Sequence, residues 1–393
     1  MKILQINCVY GKGSTGALTR ALHQALLSRG EVSRVIYGRG DDTSEEGVSR
    51  LGSELYGKMN GLRTRLGGLM YGGCELASSA LLSLLRSDRP DLVHLQCVNG
   101  SFVNVYRLIG FLKKERIPTV ITLHAEFLYT ANCSHAFDCE KWKTGCGNCA
   151  DFHRQTHSWF RDATADSWKR MKEAFDGFER LSVISVSPWQ QERAKQSPFF
   201  RDARHRVIEN GVDLSLFHPA GERSGDGRLH ILHVSPRFDP RPGHVKGAEY
   251  VLALAERLGD RAEIQVIGPA ESIRTPQNVR LLGPIWDQAE LARRYSQADL
   301  TLLTSRRETF SLVCAESLCC GTPVVGFFAG GPESIALPAY SRFVPYGDVE
   351  ALEQAVLSMP PCDTKTLVRS AAQRYGMERM INEYLDEYQK VRT

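Results

Sequence analysis

A chain of 393 residues, 42% hydrophobic and 24% charged, is long for one domain and comfortable for two, and this composition excludes general disorder. The formal charge of +4 is too mild to argue for a nucleic-acid partner, although a local basic patch could still meet an anionic membrane surface. Eleven cysteines, several alone in apolar runs, fit a reducing compartment better than a disulfide framework. No stretch reaches membrane-spanning length and the first apolar run is too short for a signal peptide, so a cytoplasmic location is expected.

Residues 2–8 form a short apolar run ending in a Gly-rich loop, Gly11-Lys12-Gly13-Ser14-Thr15-Gly16, and residues 17–27 follow with helical periodicity until Gly30. This is the opening of a βαβ unit, with residues 32–37 as its second strand. The loop lacks the Lys-Ser/Thr ending of a nucleoside triphosphate loop. Further on, Lys58, Arg63 and Arg65 mix with Leu62, Leu66, Leu69, Met70 and Tyr71. The segment reads either as a basic amphipathic contact with lipid or a lipid-linked acceptor, or as a Gly-broken surface helix. A helix at 75–85, a strand at 91–96, a helix at 102–114 and a strand at 119–123 then predict a parallel sheet covered on both faces. His124 directly follows a strand end, where ligands of open α/β sheets bind; a histidine that merely caps the strand is the alternative.

Cys133, Cys139, Cys146 and Cys149 come next, separated by five, six and two residues, with His135 as a spare ligand. The set suits a closed structural zinc site. Two disulfides or four free thiols are the rival readings, and we expect a zinc or redox-sensitive cluster.

The alternation continues with a helix at 162–178, a strand at 181–186, a helix opened by Ser187-Pro188, and a strand at 206–208. Residues 221–227 are rich in Gly and charge, as in a linker. Strands at 230–235, 263–267, 279–282 and 300–303, with helices at 247–258 and 288–296, then repeat the first architecture. The fold class is therefore α/β with two facing doubly wound, Rossmann-like domains, and the expected site is the cleft between them. Met380, Ile381, Tyr384, Leu385 and Tyr388 give the last helix an apolar stripe.

The stretch 304–332, TSRRETFSLVCAESLCCGTPVVGFFAGGP, carries the densest chemical signal. Ser311 is a suitable N-cap and Gly321 a suitable residue to end the helix. The amides of Leu312, Val313 and Cys314 would then be the open donors of a helix start, which attracts phosphate. Glu316 is expected in the first turn and Glu308 in the preceding loop. Two carboxylates bracketing an anion site suit a nucleotide-linked sugar, while a surface helix with two solvated glutamates has the same spacing.

The run 308–318, Glu-Thr-Phe-Ser-Leu-Val-Cys-Ala-Glu-Ser-Leu, followed by Gly-Thr-Pro-Val-Val-Gly, resembles the signature of retaining, nucleotide-sugar-dependent glycosyltransferases of the GT-B fold, glycosyltransferase family 4-like. The resemblance implies that Glu308 lies at the donor sugar, that Glu316 holds the ribose, and that the backbone of Thr309, Phe310, Ser311, Leu312 and Val313 meets the diphosphate. It also implies that Arg237 and Lys246 bind the diphosphate and that His124 points at the transferred sugar. Gly13 and Gly16 would face the donor phosphate and acceptor. The family usually has an aspartate after the histidine; Ala125 and then Glu126 stand here, which leaves the local carboxylate without an assigned role. Asn210-Gly211-Val212-Asp213 resembles the family's crossing between domains, which gives an acceptor-side domain at 1–212 with the Cys-rich insertion at 133–149, a linker at 213–227, a donor-side domain at 228–375, and a helix at 376–393 crossing back. The implied activity moves a sugar from a nucleoside diphosphate to an acceptor hydroxyl with retained configuration. His124, Glu308, Arg237 and Lys246 would do the chemistry, with no cofactor beyond the co-substrate. A surface or capsular glycan, or a lipid-linked precursor, is the expected acceptor, with peripheral contact at the inner face of the membrane. A nucleotide-sugar epimerase and a non-catalytic glycan- or nucleotide-binding relative are the alternatives.

Overall fold

Each half of the chain winds around one all-parallel sheet, and the long apolar strands explain why: a parallel strand is covered by helices on both faces and has no solvent side to keep polar. The computed structural model describes residues 1–270 and 273–392. These form two units, Met1–Ile208 with the C-terminal residues from Ile381 on, and Glu209–Met380.

The first unit contains β1 (Lys2–Asn7), β2 (Val32–Tyr37), β3 (Val48–Arg50), β4 (Leu92–Leu95), β5 (Thr119–Leu123), β6 (Leu181–Ser185) and β7 (Arg204–Val207), in the order β3-β2-β1-β4-β5-β6-β7. Ile6, Val93, Leu95, Ile121 and Val183 from the sheet pack with Leu108, Leu112 and Phe175 from its helices. The first helix, Gly13–Ser28, starts within the Gly-rich loop rather than after it. β3 escaped the sequence pattern because an edge strand of three residues has no periodicity to read.

From Ile381 the last helix, Met377–Arg392, belongs to this unit and is fastened by polar groups as well as by its stripe. Tyr388 Oη meets His94 Nδ1 at 2.7 Å, His94 Nε2 meets Thr122 Oγ1 at 2.8 Å, and Thr122 Oγ1 meets Tyr384 Oη at 2.9 Å. Glu387, fully buried, accepts from Ser182 Oγ at 2.7 Å and pairs with Arg204 at 3.0 Å and Arg206 at 3.1 Å. Such a buried network is stable only because its members have partners.

The second unit contains β8 (Leu229–Val234), β9 (Ala262–Ile267), β10 (Val279–Gly283), β11 (Leu300–Leu303), β12 (Val324–Phe327) and β13 (Ser341–Val344), in the order β10-β9-β8-β11-β12-β13. Residues ahead of β8 are tied to the helices of this unit: the Ala220 N–H donates to Ser296 Oγ in the helix Gln288–Gln297 at 3.0 Å, and Arg223 donates to the Gly321 carbonyl, just past the helix Leu312–Cys319, at 2.8 Å. Strand order reverses at β1/β4 in the first unit and at β8/β11 in the second, so each has one topological switch point. Among the described residues no helix is long and apolar enough to cross a membrane.

Candidate functional site

At the β8/β11 switch point Lys246 Nζ donates to Glu308 Oε1 at 2.5 Å, with both side chains mostly buried. Lys246 precedes the helix Ala248–Leu258, and its backbone is stapled to the loop leaving β11: Thr304 Oγ1 donates to the Lys246 carbonyl at 2.9 Å, and the Arg306 N–H donates to the Val245 carbonyl at 2.8 Å. The approach depends on Gly247, whose φ is +63° and where a Cβ would stand 2.1 Å from the Thr304 carbonyl oxygen. Glu308 is fixed from the other side. Its N–H donates to the Ala329 carbonyl at 3.0 Å, its carbonyl accepts from the Gly331 N–H at 2.9 Å, and Glu333 holds the Ala329 and Gly330 amides at 3.1 and 2.7 Å.

The helix Leu312–Cys319 opens from Ser311, whose Oγ accepts from the Cys314 N–H at 3.2 Å. Ser311 has φ +83°, a sparsely populated region for a residue with a Cβ, and such strain clusters at ligand-binding turns. Two expectations are corrected here. The Cys314 amide is taken by the cap, so the helix-start donors lacking an intrahelical acceptor that face the loop are those of Leu312 and Val313. Glu316 falls in the second turn, because the helix begins directly after Ser311. Its carboxylate accepts from Tyr295 Oη at 3.1 Å, and burial pushes its pKa up to about 7 against that hydrogen bond. Phe310 is buried beneath the loop. Arg237, about half exposed, has its Nε 3.7 Å from Asp239 Oδ2, and the Arg241 guanidinium holds the Asp239 carboxyl well below the usual range.

In the first unit, His124 Nε2 meets Gln96 Oε1 at 2.8 Å, which couples the ends of β5 and β4. Burial lowers its pKa to about 4, so the imidazole is neutral at neutral pH. Glu126 is fully buried and accepts from Arg193 at 3.1 Å and from the Ala136 N–H at 3.3 Å, a structural use that accounts for the carboxylate the sequence left without a role. Gly16 faces the Gly-rich loop closely, since a Cβ would stand 3.1 Å from the Gly11 nitrogen, and the Gly11 N–H donates to the Gly16 carbonyl at 3.0 Å. Gly13 starts the helix with φ +63°. Asn7, missed in the sequence, ties the switch point together: its Oδ1 accepts from the amides of Cys8 at 2.9 Å and Cys97 at 3.0 Å. Gln96 and Tyr295 were missed likewise, being distant in sequence from the groups they hold, whereas Glu333 sits three and four residues from the amides it caps and was a local signal left unread.

The zinc expectation is corrected. Among the described residues no group of three or more His, Cys, Asp or Glu side chains is placed to hold a metal, and Cys133, Cys139, Cys146 and Cys149 are free thiols. Cys133 and Cys146 pack against the apolar core, and burial raises both pKa values, that of Cys146 to about 11; Cys139 is exposed. Trp142 organises the insertion instead. It is buried, stacks edge-on against Tyr129, donates to the Cys139 carbonyl at 2.9 Å, and accepts from Trp168 Nε1 at 2.8 Å.

Two doubly wound parallel-sheet units with charged loops at their switch points define the GT-B architecture. A glycosyltransferase family 4 model matches residues 15–216, more than half of the chain, and a glycosyl transferases group 1 model matches residues 229–359. The chain belongs to glycosyltransferase family 4, and it is a GT-B glycosyltransferase. It is 23% identical to WcaC of Escherichia coli (strain K12), named for a glycosyl transferase of colanic acid biosynthesis, with both chains covered in full. The sucrose-phosphate synthase of Thermosynechococcus elongatus has a similar structure, with a TM-score of 0.67 at 17% identity, covering 100% of this chain and 99% of that one. Anabaena HepE, solved with UDP and glucose, has a TM-score of 0.62 at 15% identity, covering 99% and 100%.

Proposed function

We propose that this glycosyltransferase moves a sugar from a nucleoside diphosphate to an acceptor hydroxyl with retained anomeric configuration, in the assembly of a surface or capsular polysaccharide. The observation that carries the reading is the Lys246–Glu308 pair beside the Ser311-capped helix: a cation, a carboxylate and helix-start amides meet in one loop cluster. An arriving diphosphate competes with Glu308 for Lys246, so the phosphate gains the cation while the carboxylate is released to accept from sugar hydroxyls. Arg237 adds a second cation, and the amides of Leu312 and Val313 with the helix dipole add fixed positive charge. Thr309, Phe310 and Ser311 shape that turn, and Glu316 accepts from the ribose.

Departure of the diphosphate leaves an oxocarbenium-like sugar, so catalysis rests on stabilising charge at the phosphate and on positioning. His124, neutral and oriented by Gln96, holds the sugar as a hydrogen-bonding group rather than as a cation. Gly13 faces open space, Gly16 lets the loop close on Gly11, and the loop they shape would lie beside the donor phosphate and the acceptor; the first unit would be the acceptor side and the second the donor side. The UDP and glucose bound in HepE support a nucleotide-sugar donor, and the name of WcaC supports a polysaccharide acceptor, free or lipid-linked. The enzyme would act in the cytoplasm or at the inner membrane face, with no cofactor besides its co-substrate.

A thermal-shift screen against nucleoside diphosphate sugars tests the reading, since a ligand at a hundred times its Kd stabilises the folded state by about 2.7 kcal/mol. One donor should raise the melting temperature of the wild type and not of Lys246→Ala. A panel with no binder would overturn it. Conversion of donor into its epimer without acceptor would favour the epimerase.

A further inference from the structure

The helix Glu54–Gly67 is built inside out. Leu55, Met59, Leu62 and Leu66 recur at helical spacing as one stripe, yet all four face solvent, 49–68% exposed. The buried positions are Gly57 and Thr64. Gly57 sits under Arg39, where a Cβ would stand 2.3 Å from the guanidinium, and Asn60 Oδ1 accepts from the Cys74 N–H at 3.2 Å. A helix packed for its own unit would turn the leucines inward, so this stripe is left for something else.

A second segment extends the patch. The Trp159 N–H donates to the Arg65 carbonyl at 2.7 Å, the Arg65 guanidinium lies 5.7 Å from the Trp159 ring centre, and the neighbouring Phe160 is 77% exposed. Lys58, Arg63, Arg65 and Arg161 are exposed around these side chains. The nearby acids Glu54 and Asp166 pair with Arg39 at 3.0 Å and Arg161 at 3.1 Å, and the face keeps a net positive charge. Beside the stripe, Arg39, Lys58 and Arg65 line a cavity of about 500 Å³ with Gly57, Gly61 and Leu62.

We propose that this face docks on the surface of a bilayer rich in anionic lipid. The leucines, Met59, Trp159 and Phe160 would enter the boundary between headgroups and acyl chains, with the basic side chains at headgroup depth. Interfaces between proteins are depleted of lysine and other charges at their centre, whereas this patch has them threaded through it. The inference deepens the membrane-face location given under the proposed function and rests on it, and because its test needs no transfer assay, it can fail without the sugar-transfer reading failing.

The test is co-sedimentation of the full-length protein with phosphatidylcholine vesicles containing about one-third phosphatidylglycerol. The protein should pellet with these and not with pure phosphatidylcholine, and added inorganic pyrophosphate should leave binding in place, which separates a lipid surface from a free-phosphate site. Lys58→Ala/Arg63→Ala/Arg65→Ala should lower binding roughly a hundredfold, and Leu62→Ser/Leu66→Ser at least about tenfold. If the serine variant does not fold, the charge variant alone decides. Equal binding by wild type and variants, no binding to anionic vesicles, or full displacement by pyrophosphate would overturn the proposal. So would a dimer, seen by light scattering, that Leu62→Ser/Leu66→Ser dissolves.

Discussion

Lys246 Nζ and Glu308 Oε1, 62 positions apart in sequence, stand 2.5 Å from one another and are held there by separate backbone staples. On the proposed reading, a charge-assisted contact of this length fixes a cation where leaving-group charge would develop.

Replacing Lys246 by alanine should therefore reduce turnover by roughly a hundredfold to a thousandfold, about 2.7 to 4 kcal/mol, as for other preorganised electrostatic contacts. Turnover of the wild type should also persist in a chelator, since Arg237, Lys246 and the helix start would supply the charge a divalent ion supplies elsewhere. A steady-state assay with and without chelator and Mg²⁺ checks both; normal activity in Lys246→Ala contradicts the assignment.

The product should keep the anomeric configuration of the donor. NMR of freshly formed product reads this directly, and inversion would remove Glu308 and His124 from their proposed places on the sugar.

Glu316 gives a pH signature. Burial raises its pKa to about 7 from an ordinary 4.5, so the folded chain holds a proton there that the unfolded chain has released. The associated stability is fully present below about pH 4.5 and lost as pH rises through about 7, a change of roughly 3 kcal/mol at most. Glu316→Gln, which can still accept from Tyr295, should melt higher than the wild type at pH 8 and nearly with it at pH 4.5. Parallel melts across pH would show a constant difference if the carboxyl is not raised.

Gly247→Ala should destabilise the second unit by about 2 to 3 kcal/mol, because a left-handed backbone and a Cβ driven into the Thr304 carbonyl act together. Denaturant titration measures this. Donor binding should fall with it, since Thr304 holds the Lys246 backbone; a variant of normal stability would show that the loops part without cost.

His124 should titrate near pH 4, visible as the imidazole resonance missing from His124→Asn. The substitution should cost about tenfold or more in turnover with little change in melting temperature. A resonance titrating near the ordinary histidine value would mean the ring is solvated and not held by Gln96.

The sequence by itself determined the two-sheet architecture, because parallel strands buried on both faces must be continuous apolar runs and their crossover helices must be periodic. It also marked the stretch from Glu308 to Gly321, where a cap, a helix stop and two carboxylates are neighbours in the chain. Tertiary structure alone decided which groups touch. Gln96 reaches His124, Tyr295 reaches Glu316 and the Glu308 backbone meets Ala329 and Gly331, all through the arrangement of strands and helices, which local pattern does not encode. The same limit explains the cysteines: their spacing permits a metal site, but Trp142 and its neighbours set where each thiol sits. It explains the helix Glu54–Gly67 as well. Periodicity shows that Leu55, Met59, Leu62 and Leu66 share a face, but which way that face turns depends on Gly57 packing under Arg39 and Asn60 holding the Cys74 N–H, and close packing there leaves the leucines outside.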